Sequence, residues 1–165
     1  MNSGSSVFVA ALLVVAASFS AWAGEKADAV LVDKSEKRLY LMQDGSVLRS
    51  FPVTFGGEPR GHKQQQGDQR TPEGRYMLDY KNAGSRYFKS IHISYPNAQD
   101  RASAKKRGVD PGGDIMLHGQ PNGWGWASPV LQLFTWTDGC IALSDRHMEE
   151  VWQAVDVGTP IEIRP

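Results

Sequence analysis

Gly112-Gly113-Asp114-Ile115-Met116-Leu117-His118-Gly119-Gln120 and, after residues 121–136, Thr137-Asp138-Gly139-Cys140-Ile141-Ala142 form the stretch that decides how this chain folds. Ile115 to His118 is a short apolar run following Pro111-Gly112-Gly113, so it reads as a buried strand with His118 at its end. Gly139 ahead of Cys140 permits a tight turn, in which neighbouring backbone N–H groups can converge on a developing oxyanion. A thiol in that setting is a candidate nucleophile. Because the thiolate is the species that attacks, it needs a base or a positive charge close by. Cys140 is the chain's one cysteine and forms no internal disulfide. Its other reading is a small buried hydrophobe.

Four histidines are available as the base. His147 falls in a predicted helix and is expected to be exposed, His62 lies in a polar loop, and His92 sits in a strand as a satisfied core histidine. His118 is the better choice. It ends a buried strand, is followed by Gly119, and precedes a segment with Trp124, Trp126, Phe134 and Trp136 that could wall a cleft. Taken alone it also reads as a hydrogen-bonded structural histidine, since sequence separation does not establish a Cys-His pair. A thiolate stabilised by His118 would be accessible and would have a depressed pKa.

Outward from this stretch the pattern is mainly β. Ala29 to Asp33, Arg38 to Met42 and Val47 to Phe51 alternate as three strands of a meander, with Asp44-Gly45 marking the second turn. Glu58 to Gln69 is polar and without periodicity, a long loop. Arg75 to Tyr80, Ser90 to Tyr95 and Pro160 to Ile163 read as further strands. Asp100 to Gly108 is polar enough for an exposed helical turn or loop. Ser144 as N-cap, with Met148, Val151, Trp152 and Val155 on one face, predicts a single C-terminal amphipathic helix.

The 165 residues carry 18 basic and 18 acidic side chains, and this neutral balance argues against an obligate nucleic-acid binder. The charge is uneven along the chain. Residues 25–107 hold 16 basic and 10 acidic groups and residues 108–165 hold 2 and 8, which is either a solvated surface or a basic flank that attracts substrate carboxylates. Val7 to Phe19 is an apolar run of signal-peptide length, and Ala21-Trp22-Ala23 supplies a cleavage pattern. The expected division is a signal peptide over 1–23 and one catalytic domain over 24–165, exported to the periplasm or cell envelope with no membrane span after cleavage. The absence of Lys or Arg before Val7 leaves an uncleaved anchor as the alternative.

His118-Gly119-Gln120, the spacer 121–136 and Thr137-Asp138-Gly139-Cys140-Ile141 resemble the active-site signature of the L,D-transpeptidase catalytic domain, the YkuD-type family. Thr71-Pro72-Glu73-Gly74 and residues 112–119 look like further landmarks, and the resemblance spans Ala29 to Ile163. It implies a β-sandwich or barrel with the C-terminal helix and a few short helical turns. It makes Cys140 the acylated nucleophile, His118 its base and the Gly119 carbonyl the group that orients the imidazole. The turn Thr137, Asp138, Gly139 would contribute the oxyanion hole and substrate contacts, with His92, Trp124 and Trp136 lining the site. The implied substrates are peptidoglycan stem peptides, whose acyl group passes to a stem amine, a cell-wall lipoprotein lysine or water. No metal or other cofactor is implied.

Two positions depart from the pattern. Asp138 stands where the family often has His, and Ala142 where it often has Arg or Asn, so the usual donor-binding side chains are missing; Ala142→Arg is expected to restore a carboxylate anchor. The sequence thus looks like a divergent branch, some of whose members cleave peptidoglycan amides. A non-catalytic cell-wall binding domain is the rival from another class, and a zinc hydrolase using His92, His118 and Cys140 a more distant one.

Overall fold

Burial at alternate positions marks β1 (Ala29–Asp33) and β2 (Arg38–Gln43), as the alternation predicts, whereas β3 (Ser46–Pro52) buries only Phe51. The computed structural model describes residues 25–165. The expected signal segment and its cleavage site therefore lie outside the described residues. The β1–β2 register sets Val30 opposite Leu41 and Val32 opposite Leu39, which sends all four side chains into the core. Asp44 and Gly45 both take positive φ, the conformation that a two-residue hairpin turn of this type requires.

The chain then adds β4 (Gly74–Asn82), β5 (Ser90–Ile93), β6 (Met116–His118), β7 (Ile141–Ala142) and β8 (Thr159–Arg164). They form one eight-stranded sheet in the order β3-β2-β1-β8-β4-β5-β6-β7, with β8 parallel to β1 and β6 parallel to β7. The sheet curls until its ends meet. Thr54, two residues past β3, exchanges both backbone hydrogen bonds with Ala142, at 3.0 and 2.9 Å. Leu39, Leu78, Ile91, Leu117, Ile141 and Ile161 fill the interior at full or nearly full burial, each contributing about 1.5–3 kcal/mol.

Among the described residues three α-helices complete the fold. The last, α3 (Asp145–Ala154), follows the predicted cap: Ser144 Oγ accepts from the His147 N–H at 3.2 Å, and Met148, Val151 and Ala154 are buried. Helix α2 (Ser128–Leu131) is a single turn. Helix α1 (Ala98–Arg107) corrects an expectation, since Asp100 to Gly108 reads as a turn or loop but belongs to a ten-residue helix. Its stability comes from its ends. Asn97 and Asp100 form a reciprocal capping box, and Gly108 closes the helix in the left-handed conformation.

The polar loop 58–69 is ordered around one carboxylate. Asp68 accepts from the N–H groups of Gln64, Gln65 and Arg70 and from the buried Lys63 Nζ at 2.9 Å. No helix among the described residues is long and apolar enough to cross a membrane.

Candidate active site

Parallel pairing of β6 with β7 sets Leu117 beside Ile141 and His118 beside Ala142, which brings the turn ahead of β7 to the end of the buried strand. Cys140 is half-buried there. Its Sγ accepts from the Met116 N–H at 3.4 Å and donates to the Asp114 carbonyl at 3.6 Å. Thr137 shapes the turn, because its hydroxyl accepts from the Gly139 N–H at 3.3 Å and donates to the Cys140 carbonyl at 2.7 Å. Gly139 has φ 119°, and a Cβ there would lie 2.5 Å from the Arg70 carbonyl oxygen, so this position has to be glycine. With the Gly139 N–H engaged, the turn's backbone N–H groups without an acceptor among the described residues are those of Asp138 and Cys140.

His118 is 3% exposed, and its Nδ1 lies 2.6 Å from the Gly119 carbonyl oxygen. A carbonyl only accepts, so Nδ1 carries the proton and Nε2 keeps its lone pair. No group among the described residues hydrogen-bonds to that Nε2. Gly119 allows the close approach of a neighbouring strand end: its N–H reaches the Phe88 carbonyl at 2.9 Å, and a Cβ would come within 2.6 Å of the same oxygen. Tyr87 and Trp136 flank the imidazole, with ring centroids 4.4 and 5.8 Å away.

His118 and Cys140 line one cavity of about 330 Å³, together with Asn82, Ser85, Arg86, Tyr87 and Asp114. Burial pushes His118 down to about 4, against the opposing pull of the Gly119 hydrogen bond. Burial likewise pushes the Cys140 thiol up, more than the Met116 N–H and Lys63 pull it down, while Asp138 and Asp114 add to the rise. The expected depressed thiol pKa is therefore overturned. At neutral pH the pair rests as thiol and neutral imidazole, because desolvation disfavours both charged forms.

The other expected site residues divide. Trp136 joins the aromatic wall, and its Nε1 is buried without a partner. Trp124 is exposed, stacks on Trp126 at 6.2 Å and does not line the cavity. His92 does not line it either. Its Nδ1 is 2.6 Å from Asp79 Oδ1 and its ring stacks on Tyr80 at 4.6 Å. Asp138 faces a neighbouring cavity of about 450 Å³ with Lys63, Asp110 and Asp114. Among the described residues no three His, Cys, Asp or Glu side chains are grouped to hold a metal ion.

Two expectations for neighbouring positions fail. His147 is half-buried against Phe51, not exposed, because its helix packs on the end of β3. Ala142 is fully buried between β6 and Thr54, so Ala142→Arg would force a guanidinium into the core instead of restoring an anchor. The sequence reading also misses Arg86 and Tyr87. They belong to no motif, and only the Ser90–His118 register of β5 with β6 brings their hairpin to the site.

The model of the YkuD family, the L,D-transpeptidase catalytic domain, matches residues 27–163. The Escherichia coli K12 protein YafK is 31% identical over 111 residues, covering 66% of this chain and 37% of YafK. The helical cell shape determining protein Pgp2 from Campylobacter jejuni superposes with a TM-score of 0.61 at 30% identity, over 81% of this chain and 46% of Pgp2. An L,D-transpeptidase from Mycobacterium smegmatis shares the fold at 18% identity and a TM-score of 0.55, over 82% of this chain and 58% of that one. The chain thus spans less than half the length of YafK or Pgp2.

Proposed function

Since this chain belongs to the L,D-transpeptidase catalytic-domain family, we propose that it is a cysteine-dependent acyltransferase of the cell envelope that acts on peptidoglycan stem peptides. Cys140 is the nucleophile and His118 the base. The thiol gives its proton to His118 Nε2 as Sγ attacks the amide carbonyl of the third stem residue, and the oxyanion is held by backbone N–H groups of the Asp138–Cys140 turn. The protonated imidazole then passes that proton to the departing nitrogen. The C–N bond breaks, terminal D-Ala leaves, and a thioester on Cys140 remains. An amine of a second stem, a lipoprotein lysine or water resolves the thioester, with His118 again taking the proton. The segment 1–23 directs export.

The observation that supports this reading is the shared cavity of His118 and Cys140, with the imidazole tautomer fixed by the Gly119 carbonyl. A neutral base matters here. Burial keeps the imidazole unprotonated at neutral pH, so Nε2 has its lone pair to accept with; the same burial lowers its basicity and raises the thiol pKa, so proton transfer has to accompany attack instead of preceding it.

Mass spectrometry of defined muropeptides after incubation with the purified protein tests the reading. Loss of D-Ala with a new cross-link marks transfer, and loss without a cross-link marks hydrolysis. Tetrapeptides that stay intact under both conditions would refute the enzymatic reading.

A further inference from the structure

We propose that Arg86 anchors a free carboxylate of the stem peptide and so sets which peptides the Cys140–His118 cavity accepts. The inference rests on that cavity being the peptide site, and it begins with the hairpin between β4 and β5. Its backbone is fixed from both sides. Ser85 Oγ accepts from the Tyr87 N–H at 3.1 Å, and Asn122 donates to the carbonyls of Ser85 at 3.0 Å and Arg86 at 3.1 Å. The Phe88 N–H reaches the Gln120 carbonyl at 2.8 Å, two residues from His118. Arg86 is therefore held in register with the base and lines the cavity.

The cations around this hairpin differ in what they have left to bind. Lys81 donates to the Trp152 carbonyl at 2.7 Å, and Lys89 pairs with Glu149 at 2.6 Å. The Arg86 guanidinium has no acceptor among the described residues. A planar guanidinium beside an open cavity matches a carboxylate through two parallel hydrogen bonds, which a lysine cannot reproduce. The adjoining cavity has the opposite sign. Asp110, Asp114 and Asp138 face it, its Lys63 is paired with Asp68 at 2.9 Å, and Asp114 belongs to both cavities. A carboxylate is repelled from that side and drawn to the Arg86 side, so the polarity across Cys140 gives the bound peptide a direction.

A stem tetrapeptide carries free carboxylates at its terminal D-Ala and on the second centre of a diaminopimelate third residue. The experiment separates these sources by titrating Cys140→Ala protein with three synthetic tetrapeptides: the free acid, the form amidated at D-Ala, and the form amidated at the third residue. One amidation should weaken binding about tenfold, as expected for loss of a charge-assisted pair. In Arg86→Gln, Cys140→Ala protein the free acid and that amide should bind alike, and Arg86→Lys should keep part of the preference. Equal binding of all three peptides to the Arg86 protein, no binding, or a preference that survives Arg86→Gln would overturn the proposal. D-Ala release by the wild type is measured separately. Preference without release would sink the catalytic reading and leave the anchor standing, whereas release without preference would sink the anchor alone.

Discussion

His62 sits among partners that use both of its ring nitrogens. Nδ1 accepts from the Glu73 N–H at 3.0 Å, and Nε2 lies 3.1 Å from Asp100 Oδ1. The other Asp100 oxygen accepts from the Tyr76 hydroxyl and the Asn97 N–H, and Glu73 pairs at 2.6 Å with the buried Lys34. Burial and the Asp100 charge raise the Tyr76 pKa, which keeps the phenol a donor. His118 is more deeply buried, yet only its Nδ1 is engaged. Two histidines held by the backbone thus do different work. The saturated one joins β4 to α1 and the 58–69 loop, whereas the other keeps a lone pair facing no protein donor beside a cavity that also holds the thiol. Unused hydrogen-bonding capacity at a buried group costs stability, and it is where chemistry can be performed.

The contrast is broken most sharply by replacing each histidine. His118→Gln should lower turnover by about 10²- to 10⁴-fold, the range for losing a general base, with the thermal midpoint little changed. Loss of fold with unaltered activity per folded molecule would make His118 structural after all.

A second expected effect is on stability against pH. The His118 pKa is depressed in the folded protein, so between about 6.5 and 4 the unfolded chain binds a proton that the native state does not. Stability should therefore fall as pH is lowered through that window, by on the order of 3 kcal/mol, and this contribution should level off below about 4. Denaturant titrations of wild type and His118→Gln across the window isolate it, since other groups titrate alike in both. Parallel curves would mean that His118 is not held neutral by burial.

His62→Gln should have the smallest effect and the opposite character. It should cost about 1–3 kcal/mol through groups left unpaired at Asp100 and Glu73, with turnover per folded molecule unchanged. Activity lost at full stability would erase the distinction between the two histidines.

Much of this was legible in the sequence, for reasons that differ by element. β1, β2, β8 and α3, and β4 as far as Leu78, carry periods of two or of three to four, because each has one face against the core. Helix α1 escaped that reading because it buries only Asp100 and Ala104 and has no apolar stripe; its signal was the Asn97–Asp100 capping box and Gly108. β7 is two residues long, too short for any period, and it is fixed by pairing with Leu117, His118 and Thr54. In the site, Gly119 and Gly139 were readable because close backbone approach demands glycine there, whereas the pairing of His118 with Cys140 came from the family resemblance and not from spacing. Arg86, Tyr87 and the His62–Asp100 contact were not readable, since each depends on strand register or on a meeting of distant segments. The thiol and imidazole pKa values were illegible for the same reason. They follow from burial, which no local pattern announces.

The central claim is that Cys140 carries the acyl group and His118 enables its transfer. Intact-mass spectrometry of protein quenched in acid during turnover of a D-Ala-terminated tetrapeptide tests it most directly. The wild type should show one adduct with the mass of the tripeptide acyl group, mapped by digestion to Cys140, absent from Cys140→Ala and much reduced in His118→Gln. Release of D-Ala by Cys140→Ala, or an adduct on any other residue, would contradict it.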